Sequence, residues 1–208
     1  MFLSFSKKYG CTAYTAEILD FLNELGCEHH IRGIIEIGAG NGQWARALSN
    51  HHKKIQTNNQ EKLQFEFVMA YDDMSSLPLS PRIYHSKTKP AHDNFYANVR
   101  KSNHTQALQS WESRGRVLLI VFPPPGPMAV ETAREYVRLD EERNDTVVYV
   151  GEGRGGANAD EEFFSFFESG EWVLDTVLQV GRDVDGLTGK GFEKLFCFKR
   201  ISKIREVP

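Results

Sequence analysis

Apolar residues along the chain recur in two rhythms. In TAEILDFLNELG, Ile18, Leu19, Leu22 and Leu25 return every three or four positions, the period that lines one face of a helix. Thr15 is suited to cap its start and Gly26 its end. The four residues IIEI (34–37) are a contiguous apolar run, the mark of a strand buried on both faces. The helical rhythm resumes in QWARALSNHH, and EFVMAYDD (66–73) reads as the next strand, ending in acid. Between them HHKKIQTNNQEKLQ is polar and aperiodic, a helix tail followed by a surface insertion.

The pattern continues in the same alternation. Residues 74–94 are rich in Ser, Pro and Lys and predict an irregular loop, with a strand at FYANVR (95–100). RVLLIVF (116–122) is a buried strand stopped by PPPGP, since proline cannot continue a ladder. MAVETAREYVRLDEE predicts a helix, TVVYV (146–150) a buried strand broken by GEGRGG, and ADEEFFSFFESG a helix. WVLDTVLQV and FEKLFCFKR alternate like two strands joined by a glycine-rich link. Seven strands interleaved with helices predict an α/β fold: a mostly parallel seven-stranded sheet, helices on both faces, and a C-terminal antiparallel hairpin. No repeat or long linker divides the chain, so a single domain over residues 1–208 is expected.

Composition narrows the function. A chain of 208 residues buries roughly 70% of the surface its unfolded form exposes. Its net charge of −3 gives no overall footprint for nucleic acid or anionic lipid, so neither is expected as a partner. Cys11, Cys27 and Cys197 are odd in number and form no C-x-x-C pair, which favours reduced thiols and a cytoplasmic setting. The apolar stretch at the N-terminus is too short for a signal-peptide core, and no run approaches the ~20 residues of a membrane span. The histidine pairs 29–30 and 51–52 lack the i, i+4 spacing of helix-borne metal ligands. They read as surface residues, and no metal site is expected. Trp111 and Trp172 are expected in or near the core. Four phenylalanines in FFSFF are too many for one helix face, so some must pack on a neighbouring element or subunit.

Chemistry concentrates at GIIEIGAGNGQWARAL (33–48), where glycines stand at every second position between a strand and a helix. Such a turn lets a ligand approach the main chain, with the next helix presenting its N–H groups. A dinucleotide fingerprint would need glycine at position 43, which is Gln43. The pattern E-x-G-x-G-x-G over Glu36, Gly38, Gly40 and Gly42 instead resembles the first motif of class I (Rossmann-like) S-adenosylmethionine-dependent methyltransferases. That resemblance implies S-adenosyl-L-methionine as cofactor, lined by Glu36, Gly38, Gly40 and Gly42, with the acid toward its amino-acid end. It also implies an acid after the second strand that holds the ribose hydroxyls, here Asp72 with Asp73 beside it; residues 74–76 would then lie near the adenine. IIEIGAGNGQWA, LLIVFPPPGPMA and VVYVGEGRGG, in this order, are further similar to a poorly characterised methyltransferase-like group, over about residues 9–198.

The methyl acceptor is less legible. Methyltransferases of amino nitrogens carry D/N-P-P-Y/F/W after the fourth strand, whereas this chain has Phe122-Pro123-Pro124-Pro125, without the polar first residue or the final aromatic. Pro123 and Pro124 are kept as candidate substrate contacts. Glu152 and Arg154, in the glycine-rich loop after a buried strand, are the candidate catalytic pair: a base or cation binder and an anion binder. Tyr9 and Tyr14 are candidates for a lid that touches substrate. The expected activity is methyl transfer to a small-molecule or protein acceptor. The alternative is a non-catalytic methyltransferase-like protein that binds the cofactor or a protein partner.

Overall fold

The computed structural model describes residues 8–28, 31–56, 66–73, 98–181 and 192–201. Its seven strands are β1 (Ile34–Ile37), β2 (Val68–Asp72), β3 (Val99–Lys101), β4 (Val117–Val121), β5 (Thr146–Gly151), β6 (Trp172–Gln179) and β7 (Lys194–Arg200). They form one sheet in the order β3-β2-β1-β4-β5-β7-β6. The first five strands run parallel, and β7 runs antiparallel between β5 and β6. This is the mostly parallel α/β sheet with a closing hairpin that the residue pattern predicts. The loop 74–94, the link 181–191 beyond Gly181, and His29 and His30 lie outside the described residues, as do 57–65 and 95–97.

Period-two alternation divides the core. Ile34, Val68, Ala70, Val117, Leu119, Val148, Leu195 and Cys197 face one side, against α1 (Ala16–Gly26) and α2 (Gln43–Gln56). Ile35, Ile37, Met69, Leu118, Ile120, Val147 and Tyr149 face the other, against α3 (His104–Leu108), α4 (Met128–Leu139) and α5 (Glu161–Phe167). Every residue of β1 and of β5 is buried, as a central parallel strand requires. Thr15 caps α1 as expected, its side chain accepting the Ile18 N–H at 3.1 Å. Phe163 and Phe167 are buried; Phe164 and Phe166 pack more openly, on Tyr149 and on Trp172.

Four local expectations need correction. Gly26 is the last helical residue rather than the cap, and Cys27 closes the helix with its N–H on Glu24 O. Gly26 is small because the Phe67 ring lies against it: an added Cβ would sit 2.9 Å from that ring. His52 is buried rather than superficial. It stacks flat on Phe67, with centroids 3.8 Å apart, and its Nδ1–H donates to Asn23 Oδ1 at 2.8 Å. Trp111 is 60% exposed, covered by the guanidinium of Arg32 at 4.5 Å instead of by the core. The helix from Met128 ends at Leu139, three residues before the pattern suggested, because Asp140 turns to bind Arg143. α3 was not foreseen at all; Asn103 caps it by accepting the Gln106 N–H at 2.8 Å.

The pole of the sheet where the parallel strands begin is bolted by one side chain. Arg116 is buried, with Nε donating to Glu112 O at 2.7 Å and Nη1 donating to Glu66 O at 2.7 Å, Phe67 O at 3.4 Å and Ile34 O at 3.5 Å. Desolvation, with Arg32 adding to it, lowers its pKa to about 10, so it remains charged at neutral pH. The opposite pole, where the strands end, is open to ligands. Because β2 and β4 flank β1 on opposite sides, strand order reverses there, and open α/β sheets place their crevices at that switch point.

Candidate functional site

The turn after β1 is shaped by its glycines. Gly38, Gly40 and Gly42 all have positive φ, at 74°, 54° and 74°, a conformation that would cost an ordinary L-residue roughly 1–2 kcal/mol. The N–H groups of Gly38 and Ala39 both donate to Tyr71 O at 2.9 Å. The Gly40 N–H donates to Asp72 Oδ2 at 2.8 Å. Two of the predicted site features are thus bonded to one another across 32 residues of sequence, and Asp72 organises the turn directly.

Glu36 lies beneath this turn. It is 1% exposed, and the Ala45 N–H in the first turn of α2 bonds to its carboxylate, while Oε2 has no hydrogen-bond partner. Burial pushes its pKa up to about 8; the Ala45 N–H opposes that rise and the negative charge of Asp72 adds to it. Asn41, between two of the glycines, is fully buried with neither side-chain amide atom paired. Buried polar atoms are seldom left this way, and three of them, from Glu36 and Asn41, lie at this turn.

Two crevices flank it. The larger, about 340 Å³, is lined by Gly38, Asp72, Asp73, Ser102, His104, Pro123, Pro124 and Met128. That volume falls within the range of small-ligand sites. The smaller, about 50 Å³, is lined by Glu36, Gly38, Gly40, Gln43 and Trp44, with Tyr9 and Cys11 closing it. Gly38, Val121 and Phe122 border both. An added Cβ at Gly38 would come within 3.1 Å of Met128 Cε, so a side chain there would project toward the larger crevice.

The structure brings most of the candidates together but leaves the catalytic pair aside. Glu36, Gly38, Gly40, Asp72, Asp73, Pro123, Pro124 and Tyr9 border the crevices. Gly42 completes the turn, its N–H donating to Ala39 O at 2.8 Å. Tyr14 instead packs edge-on against Tyr9 and Trp44, and Trp44 Nε1–H donates to Thr12 O at 3.0 Å. Segment 9–14 therefore lies across α2 and over Glu36. Glu152 and Arg154 line neither crevice. Glu152 Oε2 accepts the Ala157 N–H at 2.8 Å, which folds its own loop. Arg154 turns outward to the carboxylates of Glu161, the first residue of α5, and Glu168, its C-cap, above the Phe164 ring. These two carboxylates, at either end of the following helix, hold the guanidinium in a surface cluster.

Three contributors escaped the sequence reading. Phe122 has φ of +51°, a conformation rare for a bulky residue and often found at functional sites. Its N–H donates to Val150 O at 2.7 Å, which aims the proline turn at the crevice. Asn158 is buried and ties that turn to the loop after β5, with Nδ2–H donating to Pro123 O at 2.9 Å and Oδ1 accepting the Glu152 N–H at 3.1 Å. His104 has Nε2 3.0 Å from Glu131 Oε2; in the tautomer that donates to Glu131, Nδ1 is the ring's acceptor. A short strand and a five-residue helix gave His104 no periodic signal, and the roles of Phe122 and Asn158 lie in contacts between the loops after β4 and β5.

No protein-family model matches the sequence, and no curated protein matches it. Solved structures are similar at a distance. Magnesium protoporphyrin IX methyltransferase from Synechocystis PCC 6803, with bound SAM, aligns at TM-score 0.46 and 10% identity, over 88% of this chain and 76% of that one. Ribosomal protein L11 methylase from Lactobacillus delbrueckii subsp. bulgaricus aligns at TM-score 0.42 and 10% identity, over 89% and 78%. An uncharacterized protein from Listeria monocytogenes serotype 4b aligns at TM-score 0.46 and 9% identity, over 93% and 70%. Likeness this remote assigns no function; the residues of the chain itself must carry that. Among the described residues no helix is long and apolar enough to cross a membrane, and no three His, Cys, Asp or Glu side chains could jointly hold a metal ion.

Proposed function

We propose that the chain is an S-adenosyl-L-methionine-dependent methyltransferase acting on a small-molecule or protein acceptor. One observation carries the reading: a turn of three left-handed glycines joined to Asp72 and set over Glu36, a buried acid with an unpaired oxygen. The residues fit the cofactor in chemical kind. Asp72 and Asp73 offer acceptors for a ribose diol, the glycine turn offers bare main chain, and Glu36 offers a carboxylate to an amino group. S-adenosyl-L-methionine would supply an electrophilic methyl on a sulfonium. The chain's task is then to bind it, exclude water and align the acceptor, and positioning of this kind accounts for much of the barrier to a displacement. His104, oriented by Glu131 and bordering the larger crevice, replaces Glu152 as the side chain best situated to take a proton from an acceptor.

Calorimetry with S-adenosylmethionine and S-adenosylhomocysteine tests this. Binding of both is the expected result, and no binding of either at millimolar concentration overturns the reading. A second reading is favoured by Phe122. With an apolar residue where amino-nitrogen methyltransferases place a polar one, the chain would be a non-catalytic relative that keeps the pocket and serves a protein partner. Tight binding without turnover on a panel of acceptors would select it.

A further inference from the structure

The pole at which the parallel strands begin gathers arginines around one exposed indole, apart from both crevices. Arg32 lies over the Trp111 ring with Cζ 4.5 Å from its centroid, and Arg143 reaches the same ring at 5.8 Å. Both stems pass Gly115: a Cβ there would stand 3.7 Å from Arg32 Cδ and 3.6 Å from Arg143 Cβ. Arg32 is also close enough to the buried Arg116 to repel its charge. Asp140 is the acid within this group, and it is already engaged. It accepts Arg143 Nε–H at 2.7 Å and the Arg143 main-chain N–H at 3.1 Å, and the charge of Arg114 acts on the same carboxylate. What is left over is donors. Arg32 Nη1 and Arg114 Nε are both buried, and among the described residues neither has a hydrogen-bond partner. A buried donor without an acceptor is costly, more so when it carries charge.

We propose that Trp111, Arg32 and Arg114 form a docking patch for a protein segment that presents a carboxylate beside an apolar side chain, with Arg143 at its rim. The carboxylate accepts from the unpartnered guanidinium N–H groups, whose fork geometry suits it. The apolar neighbour covers the exposed part of the indole. Tryptophan and arginine are among the residues that most often dominate binding at protein interfaces. The surroundings favour a single acid on a protein over a nucleic-acid strand. Glu112 follows Trp111 directly, Glu141 and Glu142 directly precede Arg143, and all three are exposed. A continuous polyanion would meet their repulsion beside the arginines, which a lone carboxylate largely avoids. Arg32 already covers part of the indole, leaving less of it for a base to stack on. A partner held at this pole leaves the crevices at the other pole open, so the inference does not rest on the cofactor reading.

A library of random dodecapeptides displayed on phage, panned on the whole chain with counter-selection on the Arg32→Gln, Arg114→Gln double variant, tests this. Peptides with Asp or Glu next to an apolar residue should be enriched. An enriched peptide, synthesised with a fluorescent label and followed by anisotropy, should lose about tenfold in affinity with either single variant, the worth of a hydrogen bond to a charged group, and a similar amount with Trp111→Ser. Trp111 is exposed, so Trp111→Ser takes over the counter-selection should thermal scans show the arginine variants unfolded. No enrichment overturns the proposal, as does enrichment of peptides without an acid, or of peptides that bind the variants as well as the wild-type chain. Retention of a random single-stranded RNA pool by the wild-type chain and not by the variants, with no peptide enriched, would overturn it in favour of nucleic acid. Self-association in sedimentation velocity that the variants abolish would overturn it in favour of a second copy of the chain.

Discussion

Asp72 illustrates how much one side chain does at the residue scale. It accepts the Gly40 N–H and borders the larger crevice, so its removal acts on the turn and on the ligand together. Asp72→Ala is expected to weaken S-adenosylhomocysteine binding by ~1–3 kcal/mol, the worth of hydrogen bonds to a charged group, and to lower the melting temperature. Asp72→Asn keeps an acceptor for Gly40 and should restore the melting temperature but not the affinity; calorimetry and thermal scans separate the two effects. Glu36 sets a pH dependence. Its folded pKa of about 8 lies above the ordinary 4.5, so between those values the folded chain holds a proton that the unfolded chain has lost. Its contribution to stability is therefore fully present below about pH 4.5 and is lost as pH rises through 8. Urea unfolding at pH 5, 7 and 9 should show the decline in the wild-type chain and a flatter profile in Glu36→Gln. At this scale the glycine turn was legible from its place between a strand and a helix, and Asp72 through the resemblance that the glycine motif carries. Glu152 and Arg154 were not. Nothing in the sequence pattern announces that the Ala157 N–H and two glutamates at either end of α5 will occupy them.

Among the elements, α1 shows where pattern succeeds and where it stops. Its apolar period foretold the buried face of Ile18, Leu22 and Leu25, but the reason for Gly26 lies in Phe67, 41 positions further on, whose ring fills the space a Cβ would need. Gly26→Ala pits a helix-propensity gain of ~1 kcal/mol against overpacking of ~1–3 kcal/mol. The ring cannot easily retreat, being stacked on His52, so net destabilisation is expected, measurable as a fall in melting temperature. The same long-range pairing explains His52 itself: a polar residue in a polar stretch of sequence becomes buried because Asn23 and Phe67 meet it from other elements. Trp111 errs in the opposite direction. Its size suggested the core, yet cations of two neighbouring segments, Arg32 and Arg143, hold it at the surface. α3 is too short for any period to reveal it.

For the molecule as a whole, the Arg116 cluster and the candidate site sit at opposite poles of the sheet. Arg116 gathers carbonyls from β1, from the approach to β2 and from the turn before β4 at one pole; the glycine turn, Asp72 and the proline turn meet at the other. Arg116→Met leaves those carbonyls without their charged donor and should lower unfolding free energy by ~2–4 kcal/mol. Affinity for S-adenosylhomocysteine, measured on the folded fraction, should be unchanged. A coupled loss of affinity would show that the two poles are not independent.

The position of β7 between β5 and β6 also bears on the order in which the chain can be assembled. Strands one to five can zip together as they emerge from the ribosome, but Trp172–Gln179 has no neighbour in the sheet until Lys194–Arg200 arrives to lie between it and β5. Until then the edge of β5 has no partner, the kind of surface on which nascent chains stick to one another. The last strand described is thus the keystone, and the chain's most vulnerable moment falls just before it is set.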